Sequence, residues 1–129
     1  MITKEQQAYI DQMYQDRGFS HDFHQVLAAE DFEFLKAYDN LIRAAYINKR
    51  SLDQKTKELL YIVAVTAMKG SVEHIKIHIK LALEKGATKK EILEALEICI
   101  PTASVPAFMI GYEAWKQVVN PERVVPKNK

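Results

Sequence analysis

The chain has a single cysteine, Cys99, among its 129 residues. One thiol cannot close an internal disulfide or form a Cys-x-x-Cys redox pair. Such a residue reads as a small buried hydrophobe in a reducing compartment. Glycine and proline are scarce at four each, and no run alternates polar and apolar residues between turn signals as a strand would. No sign of charge dominates, since 18 Lys and Arg balance 17 Asp and Glu for a net charge of +1. That excludes the basic footprint of a nucleic-acid binder. The longest apolar run, residues 59–68, is interrupted only by Thr66 and is roughly half of a bilayer span. No membrane partner is expected. The opening MITKEQQAYIDQ has no apolar signal core, so no export is implied and a cytoplasmic location is expected. The length suits one domain with a single core.

Helical periodicity fills most of this chain. A first helix is expected over residues 3–16, starting near Thr3 and ending before Gly18. Ser20 can cap a short helix over 21–28. The next runs from about Ala29 to Ile47, with Phe32, Phe34, Leu35, Tyr38, Leu41, Ile42 and Tyr46 forming an apolar face. After a polar turn over 48–52, Asp53 opens a helix reaching about Lys69. Leu59, Leu60, Ile62, Val63, Val65 and Met68 cover most of its circumference, so it is expected to be buried in the monomer or between subunits. Gly70 is a natural stop. Ser71 caps the following helix, which ends at Gly86, and Thr88 with Glu91 forms a capping box for the last helix system. Pro101 and Pro106 must interrupt that system. A final segment reaches about Val119, and residues 120–129 read as an extended tail. The fold class is therefore all-α, one domain of about six helices.

The stretch GSVEHIKIH, residues 70–78, places His74 and His78 four residues apart. On a helix they share one stripe with Ser71, Leu81 and Lys85, beside a core face of Val72, Ile75, Ile79, Ala82 and Leu83. The two imidazoles therefore sit at the edge of the core. Three readings stand side by side: boundary histidines, metal ligands, or acid/base groups. A zinc protease needs Glu after the first histidine, where this chain has Ile75, and a catalytic zinc wants a third protein ligand. No metal is expected.

The order of segments narrows the choice. LDQKTKELLYI leads into GSVEHIKIHIKLALEKGATKKEILEAL and then IPTASVPAFMIGYEAW, preceded by HQVLAAEDFEFLKAYDNLI. Over residues 18–116 this resembles the carboxymuconolactone decarboxylase and alkylhydroperoxidase-D-like family. Lys57-Glu58-Leu59, His78 followed by Gly86, and Glu91-Ile92 carry the resemblance. It implies a helical fold across residues 1–129, with the Glu58 and His74/His78 helices as an antiparallel pair, and a trimeric or hexameric homo-oligomer. In the family's peroxidase branch a glutamate precedes Cys-x-x-Cys-x-x-x-His. Aligning His78 with that histidine puts Ser71 and His74 at the two cysteine positions. Serine and imidazole cannot exchange a disulfide.

The decarboxylase branch lacks the cysteines and removes carboxylate from a small lactone without metal or organic cofactor. The resemblance thus implies a small-molecule substrate, no cofactor, and His78 and Glu58 as catalytic residues. His74 is a further catalytic candidate, and His74 or Ser71 is placed to orient the substrate. Glu58 lies one residue further from Ser71 than in the redox pattern. One residue rotates a helix by about 100°, so the pairing with His78 requires the turn at Gly70 to absorb the difference. Two other readings are a thiol-peroxidase antioxidant, which the missing cysteines disfavour, and a non-catalytic, ligand-binding oligomer.

Overall fold

Side-chain caps punctuate the chain where polar residues meet apolar periodicity. In the computed structural model, which describes residues 1–121, Thr3 Oγ1 accepts from the Gln6 N–H at 3.1 Å and Gln6 Oε1 accepts from the Thr3 N–H at 2.8 Å. This reciprocal box starts α1 (Lys4–Arg17), and Gly18, at φ 81°, closes it in the left-handed conformation. α2 (Asp22–Glu30) is capped by His21 rather than Ser20, with His24 Nδ1 accepting from the His21 N–H at 3.4 Å. The boundary expected at Ala29 falls instead at Asp31, whose carboxylate accepts from the Phe34 N–H at 3.3 Å and opens α3 (Phe32–Ile42). α3 widens into a π-helical turn over Arg43–Ile47.

These three helices make one compact unit, Met1–Leu52. Ile10, Met13, Ala28 and Leu35 form its core, with Tyr9, Phe32 and Tyr38 packed around them. Its centre also holds a charge. Asp39 is fully buried and accepts from Arg17 at 2.7 Å, Arg43 at 2.8 Å and Tyr9 at 2.8 Å, while Arg43 also pairs with Asp16. Burial opposes the Asp39 charge, but the hydrogen bonds from Arg43, Arg17 and Tyr9 outweigh it and hold the carboxyl below its ordinary value. Burial, with the bond to Asp39, pushes the Tyr9 hydroxyl up to about 12.

The second unit begins at Asp53 and comprises α4 (Gln54–Ala67), α5 (Val72–Glu84), α6 (Lys89–Glu97), a single turn α7 (Cys99–Thr102) and α8 (Val105–Val119). Ile62, Ile75, Ile79, Ile92, Leu96 and Trp115 fill its core. Gly111 of α8 lets the helices approach, since a Cβ there would stand 2.5 Å from Leu96 Cδ2 and 2.6 Å from Thr66 Cγ2. Pro101 lies in α7, and Ser104 recaps the chain so that Pro106 falls in the first turn of α8, where proline is tolerated. The expected interruption is thus a complete break and restart. The expected tail lies outside the described residues from 122 on.

The stop after α4 works differently from the expectation. Lys69, not Gly70, takes the left-handed position at φ 58°. Gly70 is needed for proximity: its N–H donates to the Val65 carbonyl at 2.8 Å, and a Cβ would stand 2.4 Å from Val65 Cγ1. Within a single chain, α4 is covered on one side. Ile62 and Val65 are buried, but Leu60 and Met68 are 54% and 76% exposed. No strand occurs among the described residues, so the all-α class holds.

Candidate active site

Two capped helices carry the candidate residues. Asp53 Oδ1 accepts from the Thr56 N–H at 2.7 Å and starts α4. Ser71 Oγ accepts from the His74 N–H at 3.1 Å and starts α5. The tight connection over 68–71 folds α5 back onto α4, and the register it sets brings Glu58 to His78. Glu58 Oε1 lies 2.8 Å from His78 Nδ1. Both side chains are sealed, with 3% and 1% exposure. The extra residue before Ser71 therefore does not turn Glu58 away.

An ionised Glu58 only accepts, and with it the proton of this bond is placed on His78 Nδ1. That leaves Nε2 as the nitrogen able to give or take a proton in a reaction. Tyr61 covers one face of the imidazole, its ring stacked at 3.8 Å and 18°. The same ring meets His74 edge-on at 5.8 Å, and the two imidazoles are 5.1 Å apart. Along the α5 stripe, Ser71 is exposed, His74 half-buried and His78 buried. Exposure thus falls along the stripe from Ser71 to His78.

All four residues singled out in the sequence lie on this helix pair. Glu58 and His78 are in direct contact, and His74 stands beside them. Ser71 is occupied in the α5 cap. Two neighbours were not singled out as site residues. Tyr61 follows Glu58 by three positions on α4, a spacing that shares a helix face and is the one signal of it that the sequence carries. Lys57 is 8% exposed, an unusual burial for lysine with no periodic signal. Cys99 lies elsewhere in this unit, buried, its thiol donating to the Val63 carbonyl at 3.6 Å. Burial pushes that thiol up from its ordinary value. Among the described residues, no three His, Cys, Asp or Glu side chains converge as a metal ion would require.

Residues 33–117, more than half of the chain, match the model of the carboxymuconolactone decarboxylase family. The chain belongs to the carboxymuconolactone decarboxylase family. The match takes in Glu58, Tyr61, Ser71, His74 and His78 together. A relative among curated proteins is the uncharacterized protein MJ1511 of Methanocaldococcus jannaschii. It is 33% identical over 86 residues, which cover 67% of this chain and 78% of the relative. No solved structure matches the chain. Among the described residues, no helix is long and apolar enough to cross a membrane.

Proposed function

We propose that this carboxymuconolactone decarboxylase family member performs cofactor-free acid/base chemistry on a small carboxylated lactone or a related acid. The buried Glu58–His78 dyad carries this reading. Loss of carboxylate from such a substrate leaves enolate charge that must be stabilised and a carbon that must be protonated. His78 Nε2 takes up the proton that the substrate's carboxyl group or solvent supplies, and the imidazolium so formed delivers it to the enolate carbon as carbon dioxide leaves. Glu58 holds the tautomer through Nδ1 and compensates the imidazolium charge when it forms. A dry setting strengthens both effects. His74, between Ser71 and His78 on α5 and 5.1 Å from the His78 ring, orients the substrate.

The thiol-peroxidase reading has no support in the residues here, because Ser71 and His74 replace the sulfurs and Cys99 is in another helix. The chain is read as one carboxymuconolactone decarboxylase-like domain, since the family match runs across the boundary between the two compact units. It is read as acting in the cytoplasm as a trimer or hexamer. Exposed Leu60 and Met68 on α4 and exposed Val105 and Met109 on α8 support association.

The test is a screen of small carboxylated lactones and β-keto acids for release of carbon dioxide. For a true substrate, His78→Gln should lower the rate roughly 10²- to 10⁴-fold at a temperature where its circular dichroism spectrum still matches wild type. Turnover that is unchanged in His78→Gln would overturn the assignment. Absence of turnover across the screen would favour the ligand-binding reading.

A further inference from the structure

Tyr61 has no part in the acid/base chemistry described above, yet it makes the closest ring contact in the site. We propose that Tyr61 is the positioning residue of the dyad, its ring fixing the plane of the His78 imidazole so that Nε2 keeps one direction. The proposal rests on the acid/base reading for its meaning, but not for its test.

A hydrogen bond from Nδ1 to Glu58 constrains one point of the imidazole. It does not lock the plane, because a ring free to turn about Cβ–Cγ carries Nδ1 away from the carboxylate, and the bond that selects the tautomer is then made only part of the time. A planar wall does fix it. Tyr61 and His78 are nearly parallel, 18° apart with centroids at 3.8 Å, so rotation of the imidazole about its Cβ–Cγ bond would drive its edge into the phenol ring. The wall is itself held. His74 meets Tyr61 at 69° and 5.8 Å, one turn before His78 on α5. Glu58 and Tyr61 also project from one face of α4 at a three-residue spacing. The hydrogen-bond acceptor and the wall therefore belong to one rigid helix, and His78 is held from two directions by it. Positioning of this kind matters because a misplacement of about 1 Å at a reacting group can cost about 10²-fold in rate.

The hydroxyl of Tyr61 plays no part in this role, so Tyr61→Phe and Tyr61→Leu separate it from other roles. The measurement is the ¹⁵N spectrum of the His78 imidazole in alkaline buffer, which reports which nitrogen bears the proton. Wild type and Tyr61→Phe should both show one tautomer, protonated at Nδ1. Tyr61→Leu should show averaging between the two tautomers. With any substrate found, Tyr61→Leu should lower kcat roughly 10- to 10²-fold with little change in KM, and Tyr61→Phe should restore it. A Tyr61→Leu spectrum identical to wild type would overturn the proposal, as would a Tyr61→Phe spectrum as disturbed as that of Tyr61→Leu. Should Tyr61→Leu fail to fold, Tyr61→Met, which keeps apolar bulk without a plane, takes its place. Failure of both to fold would also overturn the proposal, because Tyr61 would then be a core residue. The spectra need no substrate. A rigid His78 with no activity would sink the catalytic reading alone, and a mobile His78 in an active wild-type enzyme would sink the positioning role alone.

Discussion

Glu58 and His78 are twenty residues apart in the chain, and a 2.8 Å hydrogen bond joins them inside the second compact unit. Neither side chain has more than 3% exposure. A buried imidazole N–H that loses its acceptor costs about 1–3 kcal/mol. Glu58→Ala should therefore melt several degrees below wild type, and Glu58→Gln, which keeps an acceptor oxygen, should fall between them. Equal melting temperatures for all three proteins would show that the pair contributes nothing to stability.

His74 should matter less than His78 to any activity found. It is half-buried, and its ring lies 5.1 Å from His78. His74→Gln should lower the rate about 10-fold or less and act mainly through KM, as loss of an orienting contact does. A kcat loss equal to that of His78→Gln would make the two imidazoles partners in the proton transfer itself.

Peroxide reduction with a dithiol donor should be absent. Cys99 is the one thiol in the chain, it is buried, and burial keeps it in the protonated form that does not attack peroxide. Sustained peroxide turnover that disappears in Cys99→Ser would contradict this, and would require pairing of Cys99 between subunits.

Acid should weaken the fold through His24. Its imidazole is fully buried, and Nε2 has no hydrogen-bond partner among the described residues. Burial, aided by His21 and Arg17, pushes His24 down from 6.5 to about 4. The unfolded chain thus takes up this proton first. The stability that neutral His24 represents is complete above about pH 6.5 and is lost as pH falls toward 4, a loss of roughly 3 kcal/mol. Asp39, held below its ordinary 3.8, adds a further loss at lower pH. Urea midpoints measured across this range should fall with pH in wild type and fall less steeply in His24→Asn, which keeps an acceptor for the His21 N–H. Parallel slopes would remove His24 as the cause.

Light scattering at micromolar concentration should report at least three chains per particle. Leu60 and Met68 of α4, and Val105, Met109 and Tyr112 of α8, are large apolar side chains left at least 37% exposed. Leu60→Lys or Met109→Lys should shift the particle toward the monomer. A wild-type monomer would show instead that this chain tolerates the exposure.

How much was legible beforehand depended on the range of the interaction. Thr3, Asp53, Ser71 and Thr88 were readable as helix starts because a cap bonds to a backbone N–H three residues away. The side-by-side placement of His74 and His78 followed from the helical repeat alone. The absence of a dithiol followed from counting. Ser20 and Gly70 do not take the roles their residue types suggest, because their neighbours answer the same local demand: His24 caps at His21, and Lys69 adopts the left-handed turn.

The sequence by itself determined the helices, most of their ends, the family frame and the lack of a second cysteine, since each rests on contacts within about one turn or on composition. Tertiary structure alone decided that Glu58 meets His78, that Tyr61 lies flat against that imidazole, and that Asp39 is buried among Arg17, Arg43 and Tyr9. The rotation of α5 against α4 comes from how Lys69 and Gly70 close the turn and how Ile62, Ile75 and Ile79 pack. An error of one residue there rotates Glu58 by about 100°, so no spacing rule in the chain could settle the contact before the side chains were packed.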